Sequence, residues 1–455
     1  MNKNPNLVFV FADQWRYQAL GYAGAPNVAT PSIDHFASQS LNFTNAVSGC
    51  PVCSPYRASL MTGLYPHRHR MMVNDQCLCR LYDGPFLAEC LRDVGYRTAY
   101  IGKWHLDGNG RNAFVPPERR LGFDWWKGFE CSHNYQASHY YFADDPRPHP
   151  WHGYDADAQT DEACRYLREE VGHDPFALFL AWGPPHTPLN NAPAQFKAMY
   201  DPPRIRLPAN VPAACADQAR RELAGYYAHC SALDAAFGRL LETLSATGRD
   251  ADTIVVFTSD HGDMLGSQGH FRKQKPWAES IRVPFLVRHP DRKGPGADDT
   301  PIDAPDLMPT LLTLCGVPIP DKVQGRDFSR TIMDGSPSGI TEALLALYVP
   351  FHEWRYEKGG REYRGIHNNR YTYARSLAGP WLLYDNAADP SQLHNLIGDP
   401  HHAAQVTELD ARLTTRLREV GDDFVDGREI IRREHYQLNQ AGDIAVMPSE
   451  FPEPY

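Results

Sequence analysis

The residues with chemistry to offer sit in a few short segments. One reads Cys53-Ser54-Pro55-Tyr56-Arg57-Ala58-Ser59-Leu60-Met61-Thr62-Gly63, a C-x-P-x-R-x-x-x-x-T-G spacing. The others are Asp13-Gln14, Gly102-Lys103-Trp104-His105, Gly183-Pro184-Pro185-His186 and Thr258-Ser259-Asp260-His261-Gly262-Asp263, with Lys273 in Lys273-Gln274-Lys275-Pro276-Trp277-Ala278-Glu279-Ser280-Ile281-Arg282-Val283-Pro284. Carboxylates and amide oxygens suit hard cations. Lys and Arg neutralise anions, and His moves protons. Each segment alone also has an inert reading. Cys53 could be a structural residue before a helix N-terminus, with Arg57 on the surface. Asp13 and Asp260 could cap helices, and a lone His or Lys is more often structural or solvated.

The elements that must position these residues share one design. Asn6-Leu7-Val8-Phe9-Val10-Phe11-Ala12 is an apolar run ending at Asp13-Gln14, as expected for a doubly buried parallel strand whose carboxyl end meets a site. Residues 98–101 read as a strand before Lys103 and His105, 176–182 as a buried strand before His186, and 252–259 as a strand ending at Asp260-His261. A further strand is expected at 284–288. Helices are expected at 31–38 (Thr30 as N-cap, Pro31 at N1), 85–94, 161–170, 216–247 and 306–315. Strands alternating with helices predict an α/β fold, with a mostly parallel central sheet flanked by helices. Residues 107–158 are rich in Trp, Tyr, His and Pro and show no clear periodicity. From about residue 335 the pattern changes. Residues 363–367, 370–375 and 381–385 read as short antiparallel strands separated by Asn-Asn and Gly-Pro turns, and a helix follows at 403–420. The expected organisation is a catalytic α/β domain over 1–335 and a smaller C-terminal α+β subdomain with its tail over 336–455. After about Gly427 the tail is polar and Pro-bearing, suited to the surface or to a second subunit.

The 455 residues are 42% hydrophobic and 22% charged, ordinary for a globular protein. The net charge of −10 argues against nucleic-acid binding but allows an anionic substrate in a local cationic pocket. No stretch approaches a membrane span. Met1-Asn2-Lys3-Asn4-Pro5 lacks the features of a signal peptide, so the expected location is cytoplasmic, or periplasmic or secreted if a leader was removed. The ten Cys show no disulfide-framework spacing. Most read as buried small hydrophobes, and Cys50, Cys77 and Cys79 lack the second ligand pair of a zinc site.

The Cys53 segment resembles the signature of type I sulfatases, formylglycine-dependent members of the alkaline-phosphatase-like superfamily. The likeness runs from about Asn6 to Pro284. It resumes at Leu383-Tyr384-Asp385 with Asp389, Pro390, Asn395 and Leu396. It implies that Cys53 is oxidised by a separate formylglycine-generating enzyme to 3-oxoalanine (formylglycine), whose hydrate is the nucleophile. It further implies one divalent cation, usually Ca2+, on Asp13, Gln14, Asp260, His261 and the modified Cys53. A mainly oxygen-donor set suits a hard cation, and the nitrogen of His261, where many members have Asn, leaves Mg2+ and Mn2+ open. Arg57, Lys103 and Lys273 would neutralise the sulfuryl group, with Lys273 selected over Lys275 by the family register. His186, or Lys273 beside it, would protonate the departing alcohol, and His105 would deprotonate the second hydroxyl.

The implied function is hydrolysis of a sulfate monoester. A sulfated saccharide is favoured over choline sulfate or a simple aryl sulfate, with Trp126, His133, Tyr135, His352 and Arg364 as candidate substrate contacts. Packing of a long loop is the competing reading of the aromatics. Phosphonate monoester and phosphodiester hydrolases of the same superfamily are the alternative, since Asp13-Gln14-Trp15-Arg16 and His261 look similar to that group. Gly102-Lys103-Trp104-His105 favours the sulfatase. A catalytically silent protein that grips sulfated glycans is a further alternative. Expected partners are the sulfated small molecule or oligosaccharide and the maturation enzyme, with no nucleic acid, no membrane and homo-oligomer formation left open.

Overall fold

The computed structural model describes residues 4–440 together with 442, 444 and 445. A ten-stranded sheet contains β1 (Asn6–Asp13), β2 (Leu41–Phe43), β3 (Arg97–Lys103), β4 (Trp125–Phe129), β5 (His139–Phe142), β6 (Asp145–Pro150), β7 (Phe176–Pro185), β8 (Thr253–Ser259), β9 (Phe285–Arg288) and β10 (Gly296–Asp298). In space they run β10-β2-β9-β8-β1-β7-β3-β4-β5-β6. Every residue of β1 is buried, as a central strand covered on both faces requires. Its alternating side chains divide between two cores. Leu7, Phe9 and Phe11 pack with residues of the helices Cys53–Thr62, Leu87–Asp93 and Ala304–Leu314. Val8, Val10 and Ala12 pack with those of Pro31–Ala37, Asp155–Arg165 and Ala216–Ala246.

The parallel centre is β8-β1-β7-β3-β4. Towards the edges the sheet becomes mixed. β9 runs antiparallel to β8; the connection between them carries only a 3-10 turn at Ser267–Gly269 and the short helix Ala278–Ile281, without the long helix that a parallel crossover uses. Three strands, β4 to β6, emerge from the stretch without periodicity. β6 reads Asp-Pro-Arg-Pro-His-Pro; it lies at the sheet edge, where missing N–H donors do no harm, so it carried no hydrophobic signal.

A second sheet is antiparallel, in the order β11 (Glu342–Leu347), β12 (Tyr363–Asn368), β13 (Tyr371–Ser376) and β14 (Gly379–Asp385). β11 was not expected from the sequence. Leu409, Leu413 and Leu417 of the helix Ala403–Val420 cover one face of this sheet. Leu345 and Leu347 of β11 pack with Cys50 and Val52, so the second sheet supports the approach to Cys53. A helix, Gly427–Arg433, opens the expected polar tail; residues 446–455 of that tail lie outside the described residues. Among the described residues no helix is long and apolar enough to cross a membrane.

Candidate active site

The helix Cys53–Thr62 is buried along its whole length. It ends at Gly63 with φ of 65°, a left-handed stop that glycine takes without strain. A Cβ there would come within 2.8 Å of Val323, so the Thr-Gly end of the motif is a helix terminus that must also be small. With 3.6 residues per turn, Cys53 and Arg57 share one face. The surface reading of Arg57 fails: it is 1% exposed. Its Nη1 donates to the Lys103 carbonyl at 2.6 Å, Nε and Nη2 reach Asp260 Oδ2 at 3.3 and 3.1 Å, and Nη2 lies 3.3 Å from Asp13 Oδ2.

The carboxyl ends of β1, β3, β7 and β8 open on the same edge and bring the remaining segments to Cys53. The β1–β7 register shifts between Ala12 and Asp13, which re-aims the Asp13 side chain. Asp13 Oδ2 accepts from Lys103 Nζ at 2.6 Å, leaving Oδ1 3.6 Å from Cys53 Sγ and 3.6 Å from His261 Nε2. Asp260 divides likewise: Oδ2 faces Arg57, while Oδ1 accepts from Gln14 N at 3.0 Å and lies 3.6 Å from His261 Nε2. His261 Nε2 is 3.2 Å from Cys53 Sγ, and Nδ1 is 2.9 Å from the Gly262 carbonyl. That carbonyl assigns the ring proton to Nδ1 and leaves the Nε2 lone pair facing the centre. Gln14 has φ of 74°, a costly conformation for a non-glycine residue. Its Nε2 donates to Asp263 Oδ2 at 2.6 Å, so Oε1 faces Lys273 Nζ at 3.2 Å.

Ligand atoms of Asp13, Cys53, Asp260 and His261 all lie within 4.8 Å of one another, and all four residues are buried. Two carboxylates and one neutral imidazole nitrogen, with an amide oxygen alongside, fit a divalent cation. Burial would raise the Asp13 pKa, but Lys103, His186, Lys273 and His261 outweigh it and hold this carboxyl well below its usual range. Burial likewise opposes the charge of Lys103, and Asp13 restores it, leaving the pKa above the ordinary lysine value. Burial and then Asp13 push the Cys53 thiol up to about 12. A thiol in that state is a poor nucleophile.

Lys273 Nζ lies 3.0 Å from Cys53 Sγ. Lys275 instead donates to the carbonyls of Phe271 and Lys273 at 3.0 and 2.8 Å and sits over the Trp354 ring, so of the two lysines only Lys273 reaches the cluster. His186 follows β7, with Nδ1 2.8 Å from the Thr187 carbonyl and its ring stacked on His133 at 4.7 Å. His105 places Nε2 3.1 Å from Asp75 Oδ1, while its buried Nδ1 has no hydrogen-bond partner among the described residues. Burial lowers the pKa of both His105 and His186. Nothing in Asn74-Asp75-Gln76 marks Asp75 in the sequence; only packing shows it. Asp263 was quoted within its motif without a role, and holding Gln14 is what it does. Glu353, beside Lys273, was also missed: it takes Gln274 Nε2 at 3.2 Å.

The five candidate substrate contacts fall differently. Trp126 is 1% exposed; it packs against Tyr100 and Trp104 with Arg120 over its ring, because its position on β4 turns it into the core. Arg364 is equally buried; Nε bonds Asp422 Oδ2 at 2.5 Å, and Tyr348 and Phe424 sandwich the guanidinium. Tyr135 is fully buried, with its hydroxyl among the carbonyls of Gly183, His186 and Thr187. It shapes the His186 turn from behind. These three have no surface to offer a substrate. His133 is half-buried against His186, and His352 is half-buried next to Glu353.

Comparison with known proteins fits this geometry. Residues 5–317 match the family model described as Sulfatase, and residues 266–419 match the one described as N-sulphoglucosamine sulphohydrolase, C-terminal. The chain is 44% identical to an ulvan-active sulfatase of Formosa agariphila, over 95% of this chain and 84% of that protein. It is 33% identical to an endo-4-O-sulfatase of Bacteroides thetaiotaomicron, over 92% of this chain and 93% of that one. A solved structure of a putative sulfatase from Bacteroides fragilis superposes with a TM-score of 0.83 at 30% identity, covering 94% of this chain and 98% of its own. With that match spanning residues 5–317 and those relatives sharing nearly its full length, the chain belongs to the sulfatase family, with the alkaline-phosphatase-like fold, and is a sulfuric ester hydrolase.

Proposed function

We propose that the chain hydrolyses a sulfate monoester carried by a saccharide, with residue 53 as formylglycine and one divalent cation. One observation carries this reading. Cys53 Sγ lies 3.2 Å from His261 Nε2, 3.6 Å from Asp13 Oδ1 and 3.0 Å from Lys273 Nζ, so one buried point sees metal-ligand atoms and a cation together. As a thiol, Cys53 is held protonated there; its sulfur stands in for the oxygen that the modified residue would present. The hydrated aldehyde supplies a hydroxyl to attack sulfur and a second hydroxyl from which sulfate can be expelled without water attacking sulfur again. Asp13, Gln14, Asp260 and His261, with the modified residue 53, would hold the cation, which when bound supplies Lewis acidity toward the sulfate ester.

The chain's own residues do the rest. Arg57, Lys103 and Lys273 neutralise the oxygens of the sulfuryl group, and no reorganisation is needed because all three are already fixed. His186, or the charged Lys273 beside it, gives a proton to the alcohol oxygen as its bond to sulfur breaks; burial lowers the His186 pKa in the free site, and the anionic sulfate bound beside it favours the imidazolium that donates. His105 takes a proton from the second hydroxyl through Nδ1, since Asp75 occupies Nε2. The oxygen-rich donor set favours Ca2+, and His261 keeps Mg2+ and Mn2+ as contenders. The saccharide reading is supported by the relatives, one active on ulvan, and by the half-buried His133, stacked on His186.

The test is to produce the chain with a formylglycine-generating enzyme, confirm the aldehyde at residue 53 by peptide mass spectrometry, and compare turnover of an aryl sulfate with that of a phenylphosphonate monoester. Sulfate turnover should dominate, and a screen of sulfated oligosaccharides, beginning with ulvan, should find a better substrate. Faster phosphonate hydrolysis would sink the proposal. An aldehyde-bearing chain that binds sulfated glycans but cleaves no sulfate ester would leave the binding-protein reading.

A further inference from the structure

A cleft of about 590 Å³ opens beside the site, walled by residues 187–190, Lys197, Tyr200, the Arg221–Gly225 part of the helix Ala216–Ala246, and Arg272. Its volume lies within the roughly 300–1,000 Å³ of ligand sites. It adjoins the catalytic residues through the backbone, since Thr187 follows His186 and Arg272 precedes Lys273. It also adjoins them through side chains: Arg272 Nη1 is 3.7 Å from Asp263 Oδ2, the atom that holds Gln14 Nε2 at 2.6 Å.

The wall carries Lys197, Arg221 and Arg272 against one acid, Glu222. Glu222 is spent on Arg272, at 2.6 Å from Nη1. Lys197 Nζ meets the Asn190 carbonyl at 3.1 Å and no carboxylate among the described residues. Arg221 is exposed and forms no ion pair among the described residues. Two cations without counter-charge thus face one concavity on a chain whose net charge is −10. This is a local reversal of field that focuses anions. Pro188 and Leu189 give the same wall an apolar strip. A second cleft of about 520 Å³ shares Lys197 and is lined by the amides of Gln136, Asn191 and Gln195 and by Asp157, whose carboxylate is paired with Arg239 at 2.9 Å. Cations, an apolar strip and amides in sequence match the surface of an acidic oligosaccharide.

We propose that this groove is a subsite for the continuing glycan chain. In it Lys197 and Arg221 hold the acidic group, a sulfate ester or a carboxylate, of a sugar next to the one that loses its sulfate. The link to catalysis rests on the saccharide reading above; the groove and its charge do not.

The test is fluorescence anisotropy with fluorescein-labelled ulvan oligosaccharides and the same oligosaccharides after chemical desulfation. It uses the full chain carrying Cys53→Ala so that no turnover occurs. Adding Lys197→Ala and Arg221→Ala should raise Kd about tenfold or more, because two charge-assisted contacts are removed, and should flatten its salt dependence. Arg221→Lys should recover part of the loss. Loss with the sulfated probe alone assigns a sulfate ester, and loss with both assigns a carboxylate. An unchanged Kd in a double variant with unaltered melting temperature overturns the proposal, as does absence of binding by the parent chain. Binding through the groove without sulfate release by the aldehyde-bearing enzyme would defeat the hydrolase reading and spare the groove. Equal release from ulvan by wild type and double variant at limiting substrate would do the reverse.

Discussion

Asp75→Asn should damage this enzyme more than Asp75→Ala does. In the native site Asp75 Oδ1 receives His105 Nε2 at 3.1 Å, and Oδ2 receives Arg111 Nη2 at 3.4 Å. Both Asp75 and His105 are buried. An asparagine at this position would turn its carbonyl to Arg111, which can only donate, and present its NH2 to His105. Nε2 must then accept, the imidazole proton moves to Nδ1, and the lone pair that the proposed mechanism uses is lost. The expected cost is that of a general base, about 10²- to 10⁴-fold in kcat/KM, or about 3–5 kcal/mol of barrier. Alanine imposes no tautomer, so part of the activity should survive.

The pH profile separates this from misfolding. Burial lowers the His105 pKa, while Asp75 is among the groups raising it. Removing Asp75 therefore lowers it further, and in Asp75→Ala the acid limb of kcat/KM should move to lower pH. Burial favours the protonated form of Asp75, but His105 and Arg111 outweigh it and hold its carboxyl below the usual range. The stability that Asp75 contributes is thus complete above the unfolded carboxylate pKa of about 3.9 and lost as pH falls through the folded value. Stability differences among the variants should be flat between about pH 6 and 8, where the activity is read. The assay is initial-rate turnover of an aryl sulfate by aldehyde-bearing protein. Near-wild-type kcat/KM in Asp75→Asn, or equal losses and unshifted limbs in both variants, would refute the reasoning.

Other expectations follow from the same geometry. His186→Gln should slow release from a sugar sulfate by about 10²-fold or more while sparing a nitrophenyl sulfate, whose leaving group needs no proton; equal losses would remove His186 as the acid. Chelation should lower the melting temperature, and a cation at about a hundred times its Kd should return about 2.7 kcal/mol of stability; an Asp13→Asn, Asp260→Asn chain should not respond, and a response equal to wild type would move the cation elsewhere. Arg364→Ala should cost about 3–5 kcal/mol in denaturant unfolding by stranding buried Asp422, with KM unchanged in the folded fraction; a raised KM in a stable protein would restore Arg364 as a substrate contact.

Much of the framework was legible because its signals are local. The central strands at 176–182 and 252–259 and the helices at 216–247 and 403–420 follow from runs and periods within a few residues, whereas the helix Cys53–Thr62 with its glycine stop emerged only in the structure. β6 was not legible, because an edge strand with Pro at alternate positions has neither ladder donors nor an apolar face to advertise, and β4 and β5, of five and four residues, are too short to show a period. The aromatic run 125–135 misled for a related reason. Strand alternation sends Trp126 into the core, and the His186 turn encloses Tyr135, yet composition makes them look alike to His133, which stays at the rim.

By itself, then, the sequence determined the C-x-P-x-R-x-x-x-x-T-G spacing around Cys53, and that Asp13, Lys103, His186 and Asp260 stand at or just after strands whose carboxyl ends meet on one edge. Short apolar runs dictate the strand placements. Tertiary structure alone decided which oxygen of Asp13 and Asp260 faces Arg57 and which faces His261, that Asp263 holds Gln14, and that Asp75 orients His105. Those choices depend on contacts between residues far apart in the chain, where burial and charge pairing select among neighbours that local spacing leaves equivalent.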